Sequence, residues 1–288
     1  MPNSDFLYID KESDLAHICA KHSDSTWLAI DTEFERESTY YPELCLLQIA
    51  SRDMVTIIDP LTLKDTRPLF NLLYKESITK VFHSARQDLE IFFHLKGSVP
   101  VPLFDTQIAA AKLGYDNGIG YANLVEKMLG VVLNKKYTRT DWKRRPLRPE
   151  QLRYAADDVI YLGKIYQQLV EKLVQTGQLA AFNNEVYKLT DASLYVPDPQ
   201  TMWLKIKDAK RFNGNQLAVL QDLAAWRETT ARSENLPRKW LLADHAIIDM
   251  ARLLPVTKDD LASIKDVDAQ VLQRHGQTLL KLISGHRE

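Results

Sequence analysis

The sequence predicts a mixed α/β domain, a sheet flanked by helices, followed by a small all-α domain. Three observations predict this. Apolar runs at 27–30, 44–50 and 54–58 follow one another with short polar links, the pattern of an antiparallel meander. Beyond Pro60, strand-length runs alternate with segments of helical spacing, which marks a mixed sheet with helical cover. From about Thr201 the chain reads as all-helical, and roughly 80 residues suffice for an independent small domain. The boundary falls at Val196-Pro197-Asp198-Pro199, whose prolines break the pattern, giving domains of 1–195 and 201–288.

Residues 6–9 read as a short strand, and 13–21 as a helix with Leu15, Ile18 and Cys19 on its apolar face. The strand 27–34 ends in Asp31-Thr32-Glu33-Phe34, and the polar, aromatic stretch 35–42 reads as a loop or hairpin turn. Strands at 44–50 and 54–58 come next, the second closed by Asp59-Pro60. Leu69, Leu72 and Leu73 mark a helix, 78–82 is a strand, and a further helix starts near Ser84. A short strand at 101–104 leads into Asp105-Thr106-Gln107, which caps a helix through 108–113. Another helix lies around 124–129. Residues 149–174 form a long helix, with Leu152, Ala155, Val159, Leu162, Tyr166, Leu169 and Leu173 at steady helical spacing, and a shorter one runs over 179–189. In the tail Leu217, Leu220, Leu223, Ala224 and Trp226 share one helical face. Leu236-Pro237 interrupts, and short helices follow at 241–254, 261–264 and 271–283.

A hydrophobic content of 45% with 26% charged residues is that of a soluble globular protein and excludes a disordered chain. The net charge of −1 excludes a globally basic nucleic-acid binder, so any such surface is local. Two cysteines are too few for a disulfide framework, and Cys45 reads as a buried apolar residue. The N-terminus lacks the basic and apolar regions of a secretory signal, and no run approaches the ~18 apolar residues of a membrane span, so a cytoplasmic protein without membrane contact is expected. The most basic segment, 135–153, carries eight cations, among them Arg139, Lys143 and Arg144, with Tyr137 and Trp142 interleaved. Pro146 and Pro149 argue against a long helix before Glu150. Such a loop can contact phosphates and stack on bases, or stand as a solvated surface loop.

Side chains alternate along a strand, so Asp31 and Glu33 share a face. Two anions at the end of a buried strand repel each other and lose hydration, unless both are solvated or a cation lies between them. A divalent metal would resolve the conflict, and enzymes of phosphoryl transfer often hold two such ions about 4 Å apart with several carboxylates. Helical geometry nominates the partners. In the helix from Ser84, Asp88 falls beside Ala85 and Phe92 on the flank of the apolar face, whereas Gln87 and Glu90 fall away from it. In the long helix Asp157 lies opposite the apolar stripe and Asp158 at its edge, with Tyr154 one turn earlier on the same side. That phenol can position a water or make a structural hydrogen bond to the acid.

These residues match a family. Asp31-x-Glu33, His83-x-Ala85-x-x-Asp88-Leu89 and Tyr154-x-x-x-Asp158 resemble the three motifs of the DEDD-type 3′–5′ exonucleases, tyrosine subgroup, and within it the ribonuclease D family. The resemblance extends to Tyr40-Tyr41-Pro42-Glu43-Leu44, Asp105-Thr106-Gln107 and Arg139-Thr140-Asp141-Trp142, and covers about residues 5–190. The tail, through Leu217 to Arg227 and Leu236-Pro237-Arg238, resembles one HRDC domain. The best-known bacterial members of the family carry two such domains, whereas one is expected in this sequence.

The resemblance implies a ribonuclease H-like fold and two Mg²⁺ or Mn²⁺ ions, to which oxygen ligands are suited. It implies that Asp31 bridges both ions, that Glu33 and Asp158 complete the water-activating site, that Asp88 supports the second ion in part through water, and that Tyr154 orients the attacking water. It gives His83 a structural or RNA-contact role. Gln48, on the neighbouring strand, is expected to touch the terminal nucleotide, and Arg139, Trp142, Lys143 and Arg144 to contact RNA. The implied activity is trimming of RNA with a free 3′ end, tRNA precursors included, releasing nucleoside 5′-monophosphates. Two alternatives differ in class: a DNA exonuclease of the Werner type, separated by matched RNA and DNA digestion, and a catalytically silent RNA-binding adaptor, which the presence of all four acids and Tyr154 disfavours.

Overall fold

The structure, a computed structural model, describes residues 6–134, 136–137 and 140–286. The chain forms two compact units. The first runs to Glu35 and from Pro42 to Tyr195; the second takes Arg36–Tyr41 and everything from Val196.

The first unit is built on a six-stranded sheet of order β1-β4-β3-β2-β5-β6. Its strands are β1 (Leu7–Ile9), β2 (Trp27–Glu35), β3 (Glu43–Ala50), β4 (Val55–Ile58), β5 (Thr79–Phe82) and β6 (Leu103–Asp105). The meander β2-β3-β4 is antiparallel, while β1 joins β4, and β5 and β6 extend from β2, in parallel. Helices cover both faces, which explains the unbroken apolar runs Trp27–Ile30 in β2 and Leu44–Leu47 in β3. On one face α1 (Glu12–His22), α2 (Arg67–Leu73) and α3 (Arg86–Lys96) pack on Leu28, Ile30, Leu47, Ile49 and Ile58. On the other, α4 (Thr106–Lys112), α5 (Tyr121–Leu129), α6 (Pro149–Gln175) and α7 (Leu179–Tyr187) pack on Trp27, Ala29, Val81 and Phe104. The second unit is helical: α8 (Gly214–Ser233), α9 (Arg238–Leu241), α10 (Asp244–Leu253), α11 (Lys258–Ala262) and α12 (Ala269–Ser284) enclose Leu220, Leu223, Ile247, Met250 and Leu279. Among the described residues no helix is long and apolar enough to cross a membrane.

Three boundaries differ from the sequence pattern for identifiable reasons. The strand expected at 101–104 begins at Leu103, after Pro102, which has no N–H to give to a ladder and contributes only its carbonyl, to the Lys80 amide at 2.9 Å. The helix expected near Ser84 starts at Arg86, because Ser84 adopts a left-handed conformation (φ 59°) at the turn out of β5. The helix expected at 124–129 starts a turn earlier, at Tyr121, with Gly120 in the extended conformation of an N-cap.

Candidate active site

β2 and β3 are in register so that Asp31 lies opposite Gln48 and Glu33 opposite Leu46, before a bulge at Glu33/Phe34 ends the regular pairing. Asp31 and Glu33 lie on the face that α6 covers. The approach of α6 is close because Gly163 meets the indole of Trp27: a Cβ there would lie 2.6 Å from Trp27 Cη2. This docking brings Asp158 to the strand end. Carboxylate oxygens of Asp31, Glu33 and Asp158 all lie within 4.8 Å of one another. The fourth acid, Asp88 of α3, stands outside that cluster. It is buried and accepts a 2.5 Å hydrogen bond from Thr32 Oγ1, which points to the opposite face of β2.

The proximity of these acids has an electrostatic cost. Burial, then the charge of Asp158, lifts Asp31 well above the usual carboxylate range, against the Thr32 backbone amide that stabilises its anion. Burial raises Glu33 to about 10, with Asp31, Asp158 and Asp88 adding to it. Burial and Asp31 also raise Asp88, which Thr32 partly offsets. Burial raises Asp158 only to about 7, because Tyr154 hydrogen-bonds to it from one turn earlier on α6. Three carboxylates held this close without a cation are mutually destabilising, and an all-oxygen donor set fits a hard divalent ion such as Mg²⁺ or Mn²⁺. Here the residues fit the group.

A cavity of about 270 Å³ opens beside Tyr154 and Asp158, walled by Gly120 to Asn123 at the start of α5 and by Leu133 and Asn134. Tyr121 donates to the Asp157 carbonyl (3.2 Å), and burial followed by the charges of Asp158 and Asp31 pushes its phenol well up. The periodicity of the sequence does not single out Tyr121 or Asn123; the only signal is a glycine one residue before the helix. Asp105 is recognisable as the α4 cap, and its Oδ1 accepts from Gln107 N (2.8 Å) and Ile108 N (3.2 Å). Its second duty has no sequence signature: Oδ1 and Oδ2 also accept from Ser84 N (3.2 Å) and Ala85 N (2.8 Å), fixing the start of α3 and thereby Asp88.

The expected RNA contacts need correction. Gln48 is fully buried between the sheet and α6, so it cannot meet a nucleotide; its amide has no hydrogen-bond partner among the described residues. Trp142 is 3% exposed and packs with Cys45, Leu46, Ile57 and Ala155, so its faces are not open to a base. His83 is engaged at both ring nitrogens, Nδ1 with Thr106 Oγ1 (2.9 Å) and Nε2 with the Ile119 carbonyl (3.1 Å). Lys143 pairs with Glu43 at 2.5 Å while keeping 40% of its side chain exposed, and Arg144 is exposed. Arg139 lies outside the described residues. Within the same basic loop Arg145 is structural: its guanidinium binds the fully buried Asp59 (Nη2–Oδ1 2.8 Å) and the Cys45 carbonyl (2.8 Å).

Comparison with known proteins agrees with this geometry. Residues 6–174 match the model of a 3′–5′ exonuclease domain, and residues 216–283 that of the HRDC domain. The chain is similar to ribonuclease D of Shewanella sp. (strain ANA-3), 39% identical over 96% of this chain and 72% of that one. It is similar in structure to Escherichia coli RNase D, described as an exoribonuclease involved in structured RNA processing, with a TM-score of 0.90 and 36% identity over 99% of this chain and 76% of that one. Brucella melitensis NrnC with bound Mg²⁺ is a more distant likeness, with a TM-score of 0.55 and 29% identity over 65% of this chain and 90% of that one. The chain belongs to the 3′–5′ exonuclease family, in its ribonuclease D branch.

Proposed function

We propose that this 3′–5′ exoribonuclease uses two Mg²⁺ or Mn²⁺ ions to trim unpaired RNA 3′ ends, tRNA precursors among them, in the cytoplasm. The product is a nucleoside 5′-monophosphate. The catalytic domain is 1–195 without Arg36–Tyr41, which belongs to the helical unit, and the HRDC domain is 201–288. The observation that carries the reading is the convergence of Asp31, Glu33 and Asp158 within 4.8 Å, with Tyr154 bonded to Asp158. The structural likeness to an RNase that processes structured RNA and to a nuclease with bound Mg²⁺ supports it.

Asp31, Glu33 and Asp158 would hold one ion, and Asp31 with Asp88 the other. Bound there, such a pair lowers the pKa of water and stabilises charge on the attacking and leaving oxygens of the scissile phosphate. Tyr154 holds the attacking water against Asp158. The cavity beside it takes the 3′-terminal nucleoside, with Leu133 and Ala122 against its apolar surface and Asn123 offering an amide. A recessed pocket of this size favours an end that can be drawn out of a helix. Lys143 and Arg144 contact phosphates upstream.

Two assays test this. Asp31→Asn is expected to abolish trimming of a 3′-tailed tRNA in Mg²⁺, and undiminished trimming sinks the metal-site assignment. Side-by-side digestion of matched RNA and DNA oligonucleotides, with Mg²⁺, Mn²⁺ or chelator, is expected to show metal-dependent preference for RNA. Equal or faster loss of DNA overturns the substrate assignment.

A further inference from the structure

Arg145 belongs to the most basic segment of the chain, yet its guanidinium is fully spent inside the protein. All five of its N–H groups donate: Nε and Nη2 to the two carboxylate oxygens of Asp59 (Nη2–Oδ1 2.8 Å), Nη2 also to the Cys45 carbonyl (2.8 Å), and Nη1 to the carbonyls of Trp142 (2.6 Å) and Arg144 (3.0 Å). Asp59 directly follows β4 and is fully buried. It also accepts from Tyr8 Oη of β1 (2.5 Å) and from the Leu61 amide (3.2 Å). A buried carboxylate is costly without its cation, and the planar fork of an arginine binds it in one orientation. One side chain thus ties β3, the end of β4 and the turn 142–145 together.

The tie matters for Trp142. Its indole is buried, and its Nε1 has no hydrogen-bond partner among the described residues. No polar contact orients the ring. Its place is set by packing on Cys45, Leu46, Ile57, Ala155 and Ala156, and by the backbone carbonyl that Arg145 holds. The indole stands against Tyr154 of α6, with ring centroids 6.2 Å apart and planes 32° from parallel. Tyr137 meets the same phenol ring from the edge, at 6.2 Å and 63°. Both separations are those of packed aromatic pairs. Tyr154 in turn bonds to Asp158. Its hydroxyl sits at the far end of a ring, where a small tilt of the side chain becomes a large displacement.

We infer that Arg145 and Trp142 are positioning residues for the hydroxyl of Tyr154. Asp59 fixes Arg145, Arg145 fixes the carbonyl of Trp142, and the indole walls the phenol so that its oxygen stays on Asp158. The inference rests on the reading that gives Tyr154 the attacking water, and it names what supplies the precision that task requires. A misplacement of about 1 Å at a group that orients a reactant can cost ~10²-fold in rate.

The test is a double-variant cycle on the full chain, measuring kcat and KM for a short unpaired oligoribonucleotide in Mg²⁺. Arg145→Lys keeps a cation opposite Asp59 but lacks the fork that reaches both oxygens and the carbonyls. It is expected to lower kcat on the order of ten-fold with KM little changed. Tyr154→Phe is expected to lower kcat on the order of a hundred-fold, and Arg145→Lys added to it to cost less than about two-fold more, because a hydroxyl that is absent needs no positioning. Trp142→Phe leaves the Arg145–Asp59 pair in place and keeps a buried ring, so it stands in should Arg145→Lys fail to fold. The same pattern with a smaller loss is expected of it. Losses that multiply with that of Tyr154→Phe overturn the proposal, since they mark a general loosening of the domain. A parental kcat in both Arg145→Lys and Trp142→Phe also overturns it. The failure of the catalytic reading looks different: a parental kcat in Tyr154→Phe itself removes the water from the tyrosine and this proposal with it, whereas a slow Tyr154→Phe with multiplying losses removes the positioning alone.

Discussion

Tyr154 opposes, with one hydrogen bond, the burial that lifts Asp158 to about 7. A cation needs the ionised carboxylate, so removing the phenol oxygen moves Asp158 further up and makes protons stronger competitors for the site. Tyr154→Phe is expected to weaken Mn²⁺ binding at pH ~7 on the order of ten-fold, with the deficit closing at pH ~9. Isothermal titration at the two pH values checks this, and an equal loss at both would restrict the hydroxyl to handling water. Gln48 makes a different case. Both polar atoms of its amide are buried and unmatched among the described residues, directly opposite Asp31. Gln48→Leu removes that mismatch and is expected to raise unfolding stability by about 1–3 kcal/mol, read by calorimetry. The residue scale is also where the sequence is least legible. Alternation along a strand places Asp31 and Glu33 on one face without further information. Nothing in a run of cations and aromatics shows that Trp142 turns inward while Arg144 stays out, because that choice is made by Ala155 together with Cys45 and Leu46, and the last two are distant in sequence.

At the scale of elements, α6 is the member that assembles the site, and Gly163 sets how closely it lies on β2. Its apolar stripe is readable from spacing alone, and so is the position of Asp158 at the edge of the stripe, since a single helix obeys its own periodicity. The depth of docking is not readable, because it depends on Trp27 finding a residue without a side chain more than a hundred positions away. Gly163→Ala places a methyl group 2.6 Å from the indole, closer than real contacts allow, and either the helix or the ring must yield. The variant is expected to lose about 1–3 kcal/mol of stability and, because Tyr154 and Asp158 ride on the same helix, to show a reduced kcat with KM for a short RNA little changed. A fall in stability with kcat intact would show that α6 yields locally, below the turn that carries the acids. Asp105 carries the same lesson for α3: one carboxylate caps α4 and pins the turn before α3, and only the first of these duties has a sequence signature.

At the scale of the whole molecule, the two units respond to pH with opposite sign. In the helical unit burial raises Glu228, but Arg238, Tyr40 and Arg232 outweigh it and hold the carboxyl down to about 2. Its unfolded value is about 4.5, so its contribution is complete above that pH and is lost only as pH falls toward 2. In the catalytic unit the acids are raised, Glu33 to about 10 and Asp158 to about 7. A raised acid binds more protons folded than unfolded, so stability drains away as pH climbs from the unfolded values of about 4 through the folded ones. Between about pH 5 and 9, without metal, the catalytic unit should weaken while Glu228 stays fully ionised. A divalent cation reverses the first effect, since it binds the anions and replaces their protons, and its stabilisation grows with pH. Calorimetry in chelator is expected to show one transition moving down across that range and a second holding its position, with Mg²⁺ restoring the first most strongly at the alkaline end. A catalytic-unit transition that ignores both pH and Mg²⁺ would mean that the three carboxylates are not mutually strained and that no electrostatic conflict draws a metal between them.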